Sequence, residues 1–299
     1  MTAAHSLKDK VAVITGGSRG VGKAVADALV AAGAKVVIGD LLDKEGQELV
    51  QSYNEKSAEN EKVAAYLHTD VRKYSDNKAL FQLAEKEFGG VDIAILNAGI
   101  ATNSNSVFTP LDDELEARMF DVNIISVVKG TKVAILHMAK RGGGVIVHTA
   151  SLAGFYASPS LSSYTASKHA VVGYTRSFQL LPQVCNVRVN AICPYWIETD
   201  LLNSLSSREG ADPMEGLIAV SPRVPIDTVV EGFLTLITDE TRNAQTLMAL
   251  PDGLQVQDPL PPKDSLFTAE NLAHSPIYLA EAVADFKKKL AKAMEEYGI

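Results

Sequence analysis

The chain has 299 residues, 46% of them hydrophobic and 21% charged, a composition that excludes disordered and collagen-like proteins. Its net charge of −8 disfavours nucleic acid and anionic membrane surfaces as main partners. Because it has neither 18 consecutive apolar residues nor the apolar core of a signal peptide, we expect a cytoplasmic protein without a membrane span.

Short runs rich in Val, Ile and Ala alternate with segments of helical periodicity. The predicted strands are residues 11–15, 35–39, 63–68, 91–96, 144–149, 187–193 and 246–250. The predicted helices are residues 21–32, 43–56, 75–88, 111–138, 163–181 and 227–238, and Gly33 is expected to end the first of them. Nearly continuous apolar strands separated by helices are typical of a parallel sheet covered on both faces. We therefore predict a single doubly wound parallel sheet, a Rossmann-type α/β fold.

Two segments interrupt this alternation. Residues 200–225, where Ser and Pro are scattered among short apolar pieces, are predicted to form a lid, and the proline-rich residues 252–263 a linker. Ser275 and Pro276 then predict the N-cap and first turn of an amphipathic helix. Its apolar residues recur every three or four positions and are Leu279, Val283, Phe286, Leu290, Met294 and Tyr297. This face is expected to pack on its own subunit or, alternatively, on another subunit or a ligand cleft.

Cysteine and histidine residues give little indication of a metal or a disulfide. Cys185 and Cys193 lie in a stretch rich in Val and Ile and are predicted to be buried thiols. No Cys and His cluster has the spacing of metal ligands, so no metal site is predicted.

A glycine-rich turn, Thr-Gly-Gly-Ser-Arg-Gly-Val-Gly at residues 15–22, joins the first strand to the first helix. Gly16, Gly20 and Gly22 would let the backbone approach a phosphate at the helix N-terminus. The stretch also approaches the P-loop of nucleoside triphosphatases. Ala24, however, stands where that motif needs a hydroxyl for magnesium, so dinucleotide binding is the favoured interpretation.

Asp40 ends the second strand, 18 residues after Gly22. A carboxylate there can accept hydrogen bonds from a ribose 2′-hydroxyl and would repel a 2′-phosphate, which favours NAD over NADP. Two alternatives remain open. Asp40 could instead cap the following segment, and the guanidinium of Arg19 could meet a 2′-phosphate.

Tyr164 and Lys168 lie four residues apart on one predicted helix, and Ser151 follows the fifth strand. An ammonium about 4 Å from the phenol would lower the tyrosine pKa by roughly 3 units at an effective dielectric constant of about 20. Tyr164 would then suit general acid–base work. Ser151, at the carboxyl edge of the sheet, would hold a substrate oxygen.

These motifs, taken together and in this order, resemble the short-chain dehydrogenase/reductase family over about residues 7–253, and NAD-dependent members most. Further matching residues are Asp70, Val71, Asn97, Ala98, Gly99, Asn123, and the stretch from Pro194 to Thr199. The resemblance implies that Tyr164 is the acid–base, that Ser151 orients the substrate oxygen, and that Lys168 holds the nicotinamide ribose. It also implies that Asn123 anchors a proton-relay water. The implied cofactor contacts are Gly16, Ser18, Arg19, Gly20, Val21, Gly22, Asp40, Asp70, Val71, Asn97, Ala98, Gly99, Tyr164, Lys168, Pro194, Ile197 and Thr199.

Three positions depart from the family pattern. Tyr195 follows Pro194 where a glycine is usual, Leu96 replaces an asparagine, and Ala244 replaces a glycine. Tyr195 and Trp196 would either line the substrate cleft or pack as core. The predicted substrate contacts are Ser151, Leu152, Phe155, Tyr156, Tyr195, Trp196, Leu201 and Leu217.

We expect an oxidoreductase that interconverts a fairly apolar secondary alcohol and a ketone with NAD(H). The alternatives are an NADP-dependent carbonyl reductase and a scaffold protein that binds the cofactor without chemistry. Residues 1–253 would form the dinucleotide-binding catalytic domain, and residues 254–299 a proline-rich linker and an amphipathic helix. The family resemblance also implies a homodimer or homotetramer, joined through the helices that carry Asn123 and Tyr164.

Overall fold

The computed structural model describes residues 7–57, 61–101, 111–202, 213–261 and 263–299. Within these residues the strands are β1 Val11–Thr15, β2 Lys35–Asp40, β3 Ala64–His68, β4 Ile93–Leu96, β5 Gly144–Thr149, β6 Val187–Pro194, β7 Thr246–Leu250 and β8 Gly253–Val256. The helices are α1 Gly20–Ala31, α2 Asp43–Lys56, α3 Tyr74–Phe88, α4 Asp113–Phe120, α5 Ser126–Arg141, α6 Ser162–Arg176, α7 Leu181–Cys185, α8 Pro213–Val220, α9 Ile226–Thr238 and α10 Ala269–Tyr297. A π-helical turn, Asp121–Ile125, joins α4 to α5, and a 3₁₀ turn, Leu152–Gly154, follows β5.

The strands form one sheet in the order β3-β2-β1-β4-β5-β6-β7-β8. Strands β1 to β7 run parallel, and β8 pairs antiparallel with β7. The strand order reverses between β1 and β4, and the carboxyl ends of such neighbouring strands border a ligand crevice in open α/β sheets. The predicted doubly wound sheet is therefore confirmed, and the crevice lies beside the glycine-rich turn.

Each face of the sheet is covered by an apolar layer. Ile14 and Ile38 belong to one buried cluster, which includes Phe233 of α9. Their strand neighbours Val13 and Val37 belong to the other cluster, on the opposite face. This division follows from the alternation of side chains along a strand. It explains why both faces of these strands read as apolar in the sequence.

Two predicted helices are interrupted in the structure. The helix predicted at residues 111–138 is divided into α4 and α5 by the π-helical turn. The helix predicted at residues 163–181 ends at Arg176, and a separate helix, α7, begins at Leu181 with Pro182 in its first turn. Proline is tolerated in a first turn because the N–H it lacks would have no intrahelical partner there.

The carboxyl-terminal region also differs from the prediction. Residues 253–256 of the expected linker form β8, so the boundary placed at residue 253 falls at the start of a strand. Helix α10 is N-capped by Thr268, and Pro276 lies inside it, so the predicted start at Ser275 is wrong. Thr268 is the better cap because its side chain accepts a hydrogen bond from the backbone N–H of Asn271, at 3.0 Å.

The segment after β6 is joined to the end of the predicted lid. Arg223 donates to Glu198 at 3.0 Å and to the backbone carbonyl of Ile218 at 2.8 Å. The backbone N–H of Val224 donates to the carbonyl of Trp196 at 2.8 Å. Residues 203–212 of the predicted lid lie outside the described residues. Among the helices of the described ranges, none combines the length and the apolar character needed to cross a membrane.

Candidate active site

The glycine-rich turn lies at the crevice between β1 and β4. Gly16 and Gly20 have φ angles of +65° and +56°, in the left-handed region that favours glycine. A Cβ atom on Gly16 would lie 2.9 Å from the Cα of Ala98, and one on Gly22 would lie 2.1 Å from the carbonyl oxygen of Gly16. A Cβ atom on Gly20 would approach Thr199 at 3.8 Å. The backbone therefore needs all three predicted glycines.

The start of α1 has the donors that a pyrophosphate requires. Arg19, its N-cap residue, makes no side-chain capping hydrogen bond, so the first helical N–H groups remain available to an anion. The hydroxyl of Ser18 is buried and has no hydrogen-bond partner among the described residues. Val21 packs on the core below the turn. An uncapped helix end, an unpaired hydroxyl and a bare glycine backbone fit a dinucleotide.

Asp40 lies directly beside this turn. Its Oδ2 accepts a hydrogen bond from the backbone N–H of Ser18 at 3.0 Å. Its Oδ1 accepts from the N–H groups of Leu41 and Leu42, at 2.8 and 3.2 Å, so Asp40 also caps the segment before α2. Leu41, the next side chain, is 56% exposed and carries no charge. A ribose hydroxyl could still donate to the remaining lone pairs, whereas a 2′-phosphate would meet a carboxylate.

Arg19 does not pair with this carboxylate. Its guanidinium donates to Asp200, in the segment after β6, at 3.2 Å, and both side chains are exposed. The cation that could have favoured a 2′-phosphate is thus paired with the segment that begins the predicted lid.

Asp70 and Val71 follow β3 next to the end of β2, where the backbone N–H of Thr69 donates to the carbonyl of Asp40 at 2.9 Å. The buried Asp70 carboxylate accepts two hydrogen bonds from the Arg72 guanidinium, at 2.9 and 2.8 Å. These bonds hold the pKa of Asp70 below its usual value. Val71 is half-buried. Both residues therefore lie on the Asp40 side of the crevice.

Asn97 connects the glycine turn to the end of β5. Its side-chain amide donates to the carbonyl of Gly16 at 2.9 Å and accepts from the hydroxyl of Thr149 at 3.2 Å. The hydroxyl of Thr15 accepts from the backbone N–H groups of Asn97 and Ala98, at 3.1 and 3.3 Å. The Asn97 side chain is thus bonded within the protein, and it holds the cradle in shape.

Ser151 and Tyr164 meet at the carboxyl end of β5. The hydroxyl of Ser151 accepts from the backbone N–H of Ala153 at 3.2 Å. Burial raises the pKa of Tyr164, and the nearby Ser151 hydroxyl opposes that rise. The structure therefore brings the predicted acid–base and the predicted substrate-orienting residue close together.

Lys168 lies one helical turn further along α6 and is 4% exposed. Its ammonium donates to the backbone carbonyl of Thr149 at 2.8 Å and lies 5.6 Å from the centre of the Tyr164 ring. Burial lowers the pKa of Lys168 to about 8. The expected net lowering of the Tyr164 pKa is wrong, because burial of the phenol is the largest influence and raises that pKa. A Cβ atom on Gly99 would be 3.8 Å from the Lys168 ammonium nitrogen.

Asn123 lies in the π-helical turn and is 1% exposed. Its side chain accepts from the backbone N–H of Ile100 and donates to the carbonyl of the same residue, both at 2.9 Å. It also donates to the hydroxyl of Ser167 at 3.2 Å, and that hydroxyl donates to the carbonyl of Tyr164 at 2.7 Å. Sequence reasoning missed Ser167 and Thr149. The available signal for Ser167 was its position as a polar residue within the Tyr-x-x-x-Lys motif, next to Lys168.

The segment after β6 covers the other side of the crevice. The carbonyl of Pro194 lies 3.5 Å from the Ser151 hydroxyl. Tyr195 and Ile197 pack on the core cluster, so Tyr195 is core packing, one of the two alternatives predicted for it. The rings of Tyr195 and Trp196 lie 5.8 Å apart. Thr199, the last predicted cofactor contact, approaches Gly20 as described above.

The predicted substrate residues divide into two groups. Leu152 and Phe155 pack against the core, and the Arg176 guanidinium lies 5.3 Å from the centre of the Phe155 ring. Tyr156, Leu201 and Leu217 are exposed, by 60%, 39% and 57%. The first group is therefore part of the packed core, whereas the second group is exposed apolar surface. Within the described ranges, no group of His, Cys, Asp and Glu residues could hold a metal ion.

The chain is similar in sequence to known proteins. Residues 10–210 match the family model of the short chain dehydrogenases. The 15-hydroxyprostaglandin dehydrogenase (NAD(+)) of Homo sapiens is 30% identical over 265 residues, covering 84% of this chain and 95% of that protein. The 3beta-hydroxysteroid dehydrogenase 2 of Eggerthella lenta is 36% identical over 196 residues, covering 65% and 74%.

A solved structure agrees with these sequence relatives. It is the crystal structure of a candidate short-chain alcohol dehydrogenase from Sinorhizobium meliloti 1021, with a TM-score of 0.73 and 26% identity. The match covers 83% of this chain and 97% of that one. The fold and the site together define a dinucleotide-dependent oxidoreductase. The chain belongs to the short-chain dehydrogenase family, whose members use a nicotinamide cofactor.

Proposed function

We propose that this protein is an NAD(H)-dependent alcohol dehydrogenase that interconverts a fairly apolar secondary alcohol and its ketone. The observation that carries the proposal is that Ser151 lies near Tyr164 at the carboxyl edge of the sheet, with the Lys168 ammonium 5.6 Å from the centre of the Tyr164 ring. A scaffold protein without chemistry would not need a buried ammonium and a half-buried phenol in one crevice, because removing such groups from water costs free energy.

Each residue of this group has a distinct part in the proposed reaction. The bound cofactor would accept or donate the hydride. Ser151 would hold the substrate oxygen, and Tyr164 would take the proton from the alcohol or return it to the ketone oxygen. Lys168 would hold the nicotinamide ribose, and Asn123 would anchor the water through which the proton leaves. Thr149 and Ser167, through their bonds to Lys168 and Tyr164, would position the helix that carries both groups.

Several observations support NAD over NADP. The Asp40 carboxylate borders the turn, its neighbour Leu41 is uncharged, and Arg19 pairs with Asp200. A 2′-phosphate would therefore meet a negative charge, and Arg19, the cation of the turn, is already paired. The human relative described above carries NAD(+) in its name, which agrees with this choice. In the same proposal the catalytic unit runs from the amino terminus through β8 and resides in the cytoplasm.

The test has a binding arm and a turnover arm. NADH and NADPH would be titrated by nicotinamide fluorescence, and a panel of apolar secondary alcohols would be assayed with NAD and NADP. We expect NADH to bind at least ten times more tightly, and turnover to fall by about three orders of magnitude in Tyr164→Phe, the scale of a lost acid–base group. Tyr278→Phe, which changes an exposed tyrosine outside the site, is the matched control. Tighter NADPH binding would refute the cofactor choice, and full turnover by Tyr164→Phe would refute the mechanism.

A further inference from the structure

Helix α10 has an apolar side that its own chain leaves largely uncovered. Only its carboxyl-terminal end makes described aromatic contacts with the domain, where the Tyr297 ring lies edge-on to His137, 6.0 Å between centres. Further toward the amino end, Leu272, Leu279 and Phe286 are exposed by 59%, 50% and 45%. No residue of the 29-residue helix is buried. The prediction that its apolar face packs on its own subunit therefore describes only the last turns.

The exposed residues form a regular stripe. Leu272, Leu279 and Phe286 are seven residues apart, and Val283 and Leu290 lie four residues after the second and third of them. Apolar residues at alternating spacings of four and three face one side of a helix and match the 3.5-residue repeat by which two helices pack lengthwise. We call Leu272, Leu279 and Phe286 the exposed seam. A seam of this kind fits another helix better than it fits a flat surface.

The charges of α10 indicate which helix would pack on the exposed seam. Residues 270–285 carry three carboxylates and neither Lys nor Arg, whereas residues 287–292 carry four lysines. If a second copy of α10 runs antiparallel with Leu279 at the twofold axis, Phe286 faces Leu272 of the other copy. Glu270 then lies opposite the lysines at 287–289. The seam is therefore complementary to itself in shape and in charge, as an isologous contact requires.

We propose that α10 is an interaction surface for a second copy of this chain, formed by an antiparallel pair of α10 helices around Leu279. This contact is additional to any made through the helices that carry Asn123 and Tyr164. The two copies would meet on the same side of α10 that, near Tyr297, packs on its own domain. An anionic membrane is a poorer occupant, because α10 carries five carboxylates against four lysines.

The first experiment changes the seam and measures assembly mass by light scattering on the full chain. Leu279→Asp is expected to halve the number of copies in the particle. Ile277→Asp is the matched control, since Ile277 is 56% exposed and lies on the opposite side of the helix. It should leave the mass unchanged, and circular dichroism and NADH binding should be normal in both variants. An unchanged mass in Leu279→Asp, or a monomeric wild-type chain, would overturn the proposal.

The second experiment tests the direction of the pair by oxidative cross-linking. Leu279→Cys should form a disulfide-linked dimer in most of the protein, because the residue faces its own copy. Leu272→Cys should stay at the wild-type background, since in the antiparallel arrangement the two copies of residue 272 lie about 20 Å apart. Efficient cross-linking of both variants would indicate a parallel pair. If neither variant cross-linked, the helices would not pair at this seam. Either result refutes the proposal. Loss of phosphatidylcholine or phosphatidylserine vesicle binding in Leu279→Asp, with no change in mass, would assign the seam to a membrane instead.

Discussion

The reactivity of Tyr164 is set by contacts of single atoms. Burial raises the pKa of its phenol, and the nearby Ser151 hydroxyl opposes the rise. Lys168, which the four-residue spacing had suggested as the main influence, donates to the Thr149 carbonyl instead. The spacing of residues in the sequence indicates which side chains can lie near each other. The environment and the hydrogen bonds of each group decide which protonation state is favoured.

Removing the Ser151 hydroxyl should therefore move the pH dependence of the reaction. In Ser151→Ala the pKa of Tyr164 should rise further, because the stabilising hydroxyl is lost while the burial remains. Alcohol oxidation needs the phenolate, so the rising limb of its rate profile should shift to higher pH, and turnover should fall at least tenfold. The measurement is the pH profile of kcat/KM for alcohol oxidation.

Ser177→Ala serves as the control for this change, because Ser177 is an exposed serine at the end of the same helix. Its profile should match that of the wild type. A Ser151→Ala profile displaced to lower pH would contradict the account of the Tyr164 environment.

At the scale of secondary-structure elements, the irregular backbone geometry lies in the connections between helices and strands. The π-helical turn between α4 and α5 brings Asn123 to Ile100 and Ser167, and the hydroxyl of Ser167 reaches the backbone of the helix that carries Tyr164. Such turns occur often at functional sites. The sequence predicts one long helix here, because residues 120–126 contain no glycine or proline that would indicate an interruption.

The connection between α9 and β7 holds Ala244 in a left-handed conformation, with φ at +55°. This is the position where the family pattern has glycine. A left-handed conformation costs an L-residue about 1–2 kcal/mol, which glycine would not incur. Part of this stabilisation would be offset because glycine has greater conformational freedom in the unfolded chain. Ala244→Gly should therefore raise the free energy of unfolding by about 0.5–1 kcal/mol, measured as a higher urea midpoint with an unchanged slope.

The opposite sign is expected where alanine is helical. Ala117→Gly, at an exposed position of α4, should lower the free energy of unfolding by about 1 kcal/mol. If both glycine variants lost stability equally, the strain assigned to Ala244 would be disproved.

For the whole molecule, one buried histidine links stability to pH. His148, on β5, is fully buried between the hydroxyls of Thr131 and Thr175, each at 2.9 Å. Burial lowers its pKa to about 3, whereas the unfolded chain takes up a proton near pH 6.5. The folded protein should therefore lose stability as the pH falls below about 6.5, by about 2 kcal/mol at pH 5.

Denaturant unfolding at pH 7.5 and pH 5 measures this loss. His148→Gln should be less stable at pH 7.5, because it disturbs the two hydroxyl contacts, but it should lose about 2 kcal/mol less than the wild type on acidification. His274→Gln, an exposed position, should keep the full wild-type loss. An identical loss in wild type and His148→Gln would show that other groups carry the acid sensitivity.

The sequence by itself determined the class of fold and the identity of the reactive side chains. Strands β1, β5 and β7 were predicted with their observed bounds, and the parallel sheet followed from apolar runs that fill both faces. The glycine turn was equally plain, because glycine adopts the left-handed angles at residues 16 and 20 without strain. These are local properties, set by backbone geometry and burial along a few consecutive residues.

Tertiary structure decided what those side chains contact. The bonds of Lys168 to Thr149 and of Arg19 to Asp200 join residues 19 and 181 positions apart in sequence. The pairing of β8 with β7 gave order to a segment that the nearby prolines had suggested was a linker. The length of α10 left Leu279 half-exposed. Such outcomes depend on which surfaces meet after the chain has folded. The spacing of apolar residues along a helix cannot decide this, because it is the same whether the helix packs on its own domain or on another copy.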